Sequence, residues 1–250
     1  MTRAFLVAAL LAAAAPLSAQ RGPAASTSHL PADVLTLACA PAVIFESPAI
    51  PLHITGGQDA TVRRNYAPGD LVTINAGTQN GMTIGQEFFI RRVQPEDRSP
   101  VTPGKPGVIR TAGWLRIYAV AETMSLATIE HACDAIEVGD YLEPFVLPTM
   151  PAVSEEKPKA ERDNYAHVMP GTDRRRSFAK GDFFTIDRGS SEGVSPGAQF
   201  VVYRDKHQAQ NFLFELGEAV AVDVRQNTAT LQVTFSRDAF TEGDYVAQRR

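Results

Sequence analysis

Gly69-Asp70-Leu71-Val72-Thr73-Ile74-Asn75-Ala76-Gly77 reads as a short strand set between two turns, and the chain carries this stretch twice. The second version, Gly181-Asp182-Phe183-Phe184-Thr185-Ile186-Asp187-Arg188-Gly189, lies 112 residues later. The same offset continues through Gly81, Gly85 and 88–92 in the first copy, and through Gly193, Gly197 and 200–204 in the second. Nine of these 24 aligned positions are identical, including all four glycines. Downstream, 113–141 aligns with 217–245 at an offset of 104, and both segments close on Gly-Asp-Tyr. The eight-residue difference falls where the first copy has a Pro/Gly-rich stretch, 95–107, as expected of an exposed loop that tolerates insertion.

The residues inside the repeat are those of strands. Leu71-Val72-Thr73-Ile74 and Phe183-Phe184-Thr185-Ile186 are β-branched, aliphatic or aromatic and are bounded by turn residues. In 114–120, Trp114, Arg116 and Tyr118 alternate with Leu115, Ile117 and Ala119. In the second copy Val220, Val222 and Val224 alternate with Ala219, Ala221 and Asp223. Hairpin turns are expected near 122–125 and 226–227, and helix only in short pieces such as 134–136. Gly77, Gly81, Gly85 and their counterparts Gly189, Gly193, Gly197 read as turn positions needing a positive φ or a close backbone approach. Asp70, Asp140, Asp182 and Asp244 each follow a glycine and read as turn aspartates that bind backbone amides.

This pattern predicts an all-β protein of two tandem, small β-barrel-like domains related by internal duplication. A repeat period near 100 residues is too long for a solenoid, and curling protects the edges of small sheets. The expected organisation is a signal peptide at 1–19, a flexible segment at 20–31, β-domain copy one at 32–147, a mobile Pro/Glu/Lys-rich linker at 148–163 and copy two at 164–250. The leader rests on Arg3, an apolar run at 4–15 too short to span a bilayer, Pro16, and small residues at 18 and 19. Leu37-Ala38-Cys39 resembles a lipidation site but lies too far from that run.

The composition excludes several classes. Loss of Arg3 with the leader moves the formal charge from −4 to −5, a mild acidity that argues against nucleic acid. No later stretch is long and apolar enough for a transmembrane segment. Cys39 and Cys133 are the two cysteines, and an even count in an exported chain predicts a disulfide, with two buried free thiols as the alternative. The bridge would close a loop of about 95 residues, for which chain entropy gives about 4–5 kcal/mol.

Nothing in the motifs assembles into chemistry. His29, His53, His131, His167 and His207 form no short ligand pair, so no metal is expected. Gly85 leads into a strand and not a Lys-Ser/Thr helix start, which excludes a phosphate loop. Ser190, Ser191 and Ser195 have no His–Asp pattern around them. Arg174-Arg175-Arg176 reads as a solvated strand end. Trp114, Tyr118 and Phe88 could line a sugar groove, against a default of core packing. No catalytic residue and no cofactor is expected.

The run Gly-Asp-x-x-x-Ile-Asn/Asp-x-Gly-x-x-x-Gly-x-x-x-Gly-x-x-Phe, with its closing Gly-Asp-Tyr, resembles the C-terminal β-domain of the flagellar assembly protein FlgT and related exported bacterial envelope proteins. The likeness covers about 75 residues of each copy. Some of those relatives carry LysM peptidoglycan-binding domains, which this sequence lacks. The resemblance implies a periplasmic or secreted, non-enzymatic structural or adaptor protein of the cell envelope. Its partner would be an envelope protein or a cell-wall component. The alternative is a peptidoglycan- or glycan-binding module.

Overall fold

The structure is a computed structural model that describes residues 30–49, 51–59, 63–95, 107–169, 175–205 and 212–250. The expected leader at 1–19, most of the segment at 20–31, nearly all of the loop at 95–107, Arg174, His29 and His207 lie outside the described residues. Among the described residues, no helix is long and apolar enough to cross a membrane.

Among the described residues, the regular structure is predominantly antiparallel strand. The first described element is a short helix, α1 (Ala32–Ala38), followed by β1 (Ala42–Ile44), β2 (Ile54–Gly57), β3 (Leu71–Ile74), β4 (Glu87–Pro95), β5 (Gly107–Val120), β6 (Ser125–Ala132) and β7 (Tyr141–Pro144). There follow β8 (Ala166–His167), β9 (Ser177–Phe178), β10 (Phe183–Ile186), β11 (Gln199–Asp205), β12 (Leu213–Val224), β13 (Ala229–Ser236), β14 (Phe240–Thr241) and β15 (Tyr245–Gln248). The first sheet runs β2-β3-β6-β5-β4-β7, with β1 added against β5. The second runs β10-β13-β12-β11-β15-β8, and β9 pairs with β14 beside it.

Both sheets curl until their ends meet. In the first, His53 bridges Tyr141 and the Ile54 N–H donates to the Asp140 carbonyl at 2.9 Å. In the second, Val168 bridges Ile186 and the Met169 N–H donates to the Thr185 carbonyl at 2.8 Å. Irregularities fall at matching places. The β5–β6 ladder shifts at Trp114/Leu115 and Ile117/Ala119, and the β12–β13 ladder at Glu218/Ala219 and Ala221/Asp223. The β4–β5 and β11–β12 ladders shift at Ile90/Arg91 and Val202/Tyr203. Such bulges bend a strand and sharpen its twist, which is what curling a small sheet requires.

Each curl encloses its own core. Val72, Ile74, Ile90, Leu115, Ile117 and Ile129 are buried in the first, and Phe184, Ile186, Val202, Leu231, Val233 and Val246 in the second. Burial of such a side chain contributes about 1.5–3 kcal/mol. Size is redistributed between them. The cross-strand row Val72–Ala127–Ile117 in the first corresponds to Phe184–Leu231–Ala221 in the second, so large and small residues change strands. Phe184 also packs between Phe178 and Phe240, at ring separations of 5.9 and 5.6 Å.

Three expectations are corrected. Residues 134–136 are not helical: Ile136 is fully buried and bridges Tyr66. Among the described residues, helix lies instead at Ala32–Ala38, where Leu37 and Ala38 are buried, and in two 3-10 turns at Thr78–Asn80 and Ser190–Glu192. The stretch at 148–163 has little regular structure but is tied down. The Gln199 amide donates to the Ser154 and Glu156 carbonyls, Lys157 pairs with Glu218, and Ala160 bridges Arg249. Finally, the bulge at Ala221/Asp223 breaks the alternation of β12, so Val224 packs on the core while Asp223 faces outward.

Candidate interaction surface

The turn aspartates bond the backbone around them. The Asp70 carboxylate accepts from the Ala67 N–H at 2.9 Å, and that of Asp182 from the Ala179 N–H at 2.8 Å. Arg63 and Arg175 each add a guanidinium to these carboxylates. Asp140 accepts from the Glu137 N–H at 2.8 Å and Asp244 from the Thr241 N–H at 2.6 Å. Both are nearly buried, and each is gripped by an arginine, Arg92 and Arg204. The two arginines were legible only as one more identity between the two aligned stretches, and nothing local in sequence pointed to their roles.

The glycines act in two ways. Gly81, Gly85, Gly193 and Gly197 have φ between 76° and 88°, a left-handed backbone. Gly77 and Gly189 have φ near −136° and −139°, which any residue adopts, but sit against a neighbouring turn. A Cβ on Gly77 would lie 2.3 Å from the Ala121 carbonyl oxygen, and one on Gly189 2.2 Å from that of Arg225. The hairpin after β5 or β12 therefore docks on the turn after β3 or β10.

Other singled-out residues are also absorbed into the structure. The His53 and His167 amides donate to Asn75 and Asp187. The Ser190 and Ser191 amides donate to the Arg225 and Gln226 carbonyls. Arg175 pairs with Asp182, and Arg176 lies 3.9 Å from Glu242. Trp114 and Phe88 are buried in different clusters, while Tyr118 is 60% exposed, so the three do not line one groove. Trp114 is on the outer face of β5, but α1 covers it there, together with Phe89 and Phe145.

The feature that sequence reasoning did not reach is a strap between the two sheets. Cys39 and Cys133 form a disulfide, with Cα atoms 5.6 Å apart, that pins the end of α1 to the end of β6. The chain then runs along β5, with Val43 opposite Val108. From the other side the Thr230 and Thr228 hydroxyls donate to the Pro41 and Val43 carbonyls at 3.1 and 3.2 Å. The strap thus bonds to both halves.

Beside the strap lies a cleft of about 540 Å³, lined by Phe89 and Arg91 from the first half, Val222, Asp223 and Arg225 from the second, and the prolines of 148–151. Arg91 donates to the Thr111 hydroxyl at 2.5 Å, and its carbon lies 4.5 Å from the Phe89 ring centre. Its Nε is 3.3 Å from the Glu143 carboxylate, close enough for charge attraction but not aimed for a hydrogen bond. Burial pulls the Arg91 pKa down, opposed chiefly by Glu143. Burial likewise pushes Tyr141 up, aided by Glu143, which accepts its hydroxyl at 3.1 Å. Arg225 Nε is also buried without a hydrogen-bond acceptor, 3.5 Å from Asp223. The cleft offers guanidinium groups framed by apolar walls, suited to binding and not arranged as a nucleophile with its base.

No protein-family model matches the chain, and no curated protein matches it either.

Proposed function

We propose that the chain is an exported, non-enzymatic structural or adaptor protein of the bacterial cell envelope, whose two β-modules, related by duplication, present a joint surface to a protein partner. The observation that carries this reading is the use made of the shared polar side chains. Asp70, Asp140, Asp182 and Asp244 spend their carboxylates on local amides and arginines at equivalent places in both halves. Matching strand order and matching bulges support the duplication, and the module's likeness to the C-terminal β-domain of FlgT belongs to the same proposal. The strap supports a joint surface, because it bonds to both sheets.

The test uses the purified chain as bait against solubilised envelope fractions. A protein partner retained in stoichiometric amount is expected. Recovery of no protein, or pelleting with purified peptidoglycan at low salt instead, overturns the reading.

A further inference from the structure

The covalent tie of the strap has an unused neighbour. His131 stacks on Trp114 with ring centres 4.4 Å apart and nearly parallel planes. It also lies beside the disulfide: one ligand atom each from Cys39, His131 and Cys133 fall within 4.8 Å of one another. His131 lies in β6 just before its end at Ala132, and Cys133 follows immediately in a bend, so the chain itself brings the two side chains close. Cys39 approaches from the end of α1. Leu30, Leu35, Phe89 and Trp114 surround the group, and all three candidate ligands are partly accessible.

We propose that reduction of the Cys39–Cys133 disulfide converts this cluster into a Cys2His site for zinc. Zinc takes thiolate and imidazole ligands at about 2.3 and about 2.0–2.1 Å, and a tetrahedral arrangement separates two sulfurs by about 3.8 Å. The three side chains already converge to that scale, so the sulfurs need only swing apart once their bond is broken. A dithiol reductant cleaves the S–S bond, delivers two electrons and two protons to the two Sγ atoms, and leaves as its own cyclic disulfide. Zinc then binds both thiolates and the imidazole, releasing the two thiol protons to solvent. The fourth position stays open to water or to a ligand from another molecule. The metal would hold α1 against β5 and β6 where the disulfide did, so the strap has one tie for oxidising conditions and another for reducing ones.

The test titrates Co2+, a spectroscopic substitute for zinc, into the full chain kept reduced with a phosphine under argon. One equivalent should give thiolate-to-cobalt charge-transfer and tetrahedral d–d absorption, and zinc should abolish both. The oxidised chain should give neither. His131→Ala should weaken cobalt binding at least about tenfold while both thiols still react and the far-ultraviolet circular dichroism is kept. Absence of the bands in the reduced wild type, or equal binding by His131→Ala, overturns the proposal. If reduction unfolds the chain, zinc must restore the folded spectrum, and its failure to do so overturns the proposal equally.

Discussion

Arg92 grips Asp140 through two parallel hydrogen bonds, Nε to Oδ1 at 2.6 Å and Nη2 to Oδ2 at 2.8 Å. Arg204 grips Asp244 in the same way, at 2.8 and 2.7 Å. Each arginine also donates to a carbonyl of the loop before the aspartate, Ala135 or Ala239. The pair therefore clamps a closing turn onto the strand that carries the arginine, β4 in the first sheet and β11 in the second. Hydrogen bonding to the carboxylate pushes each guanidinium pKa above its usual value. Forked geometry of this kind is specific to arginine.

Arg204→Ala should leave the Asp244 carboxylate 4% exposed and without its main partner. Breaking a buried pair by removing one member costs about 3–5 kcal/mol. Because the arginine itself is partly solvated, a loss near about 3 kcal/mol is expected in urea denaturation. Arg204→Lys should recover less than half of it, since an ammonium cannot bond both oxygens in parallel. A loss under about 1 kcal/mol for Arg204→Ala would remove the clamp from the account.

The exchange of large and small residues predicts a rescue. Leu231 and Ala221 are cross-strand partners in the second core, where the first has Ala127 and Ile117. Leu231→Ala alone should cost about 2–5 kcal/mol through the cavity it leaves. Ala221→Ile alone should cost about 1–3 kcal/mol by overpacking. The double substitution restores the Ala–Ile cross-strand pair of the first core, with Phe184 unchanged, and should be more stable than the sum by at least about 1 kcal/mol, read as a coupling energy in a double-mutant cycle.

Glu218 makes stability fall in acid. Its carboxylate is held below the usual glutamate range first by the Lys157 hydrogen bond, with further help from Arg249. A depressed folded value means that the unfolded chain binds the proton more readily. The contribution is complete above the ordinary value of 4.5 and is lost as pH drops through the lower folded value. Glu218→Gln should flatten this part of the stability curve below the ordinary glutamate value of 4.5. It should also release 154–158 from the second sheet, read as faster proteolysis there.

Gly189→Ala tests the docking of the hairpin on the turn. The added methyl would meet two backbone carbonyls of 225–226, neither of which can rotate away. A destabilisation above about 2 kcal/mol is expected. Thermal melting that matches the wild type would mean that the two turns separate without cost.

The β-branched, aliphatic and aromatic residues of 71–74 and 183–186, the alternation of 114–120, the glycine spacing and the two cysteines were enough to read β structure and a single possible disulfide. These are local or counting properties: strand preference is written in the side chains of a short stretch and its flanking turn residues, and two cysteines allow one pairing. The partners of Asp140 and Asp244 were not legible, because Arg92 and Arg204 lie 48 and 40 residues away and meet them only through strand register. The outward turn of Asp223 was hidden for a related reason, since a bulge reverses the parity that sequence alternation assumes. Core packing was the default reading for Trp114, but that its cover is α1, a segment distant in the chain, was not legible. Local sequence thus determined the strands and turns, and tertiary packing alone decided which faces are covered, which charges pair and where the strap joins the two sheets. Those outcomes depend on contacts between segments far apart in the chain, whose register no local pattern encodes.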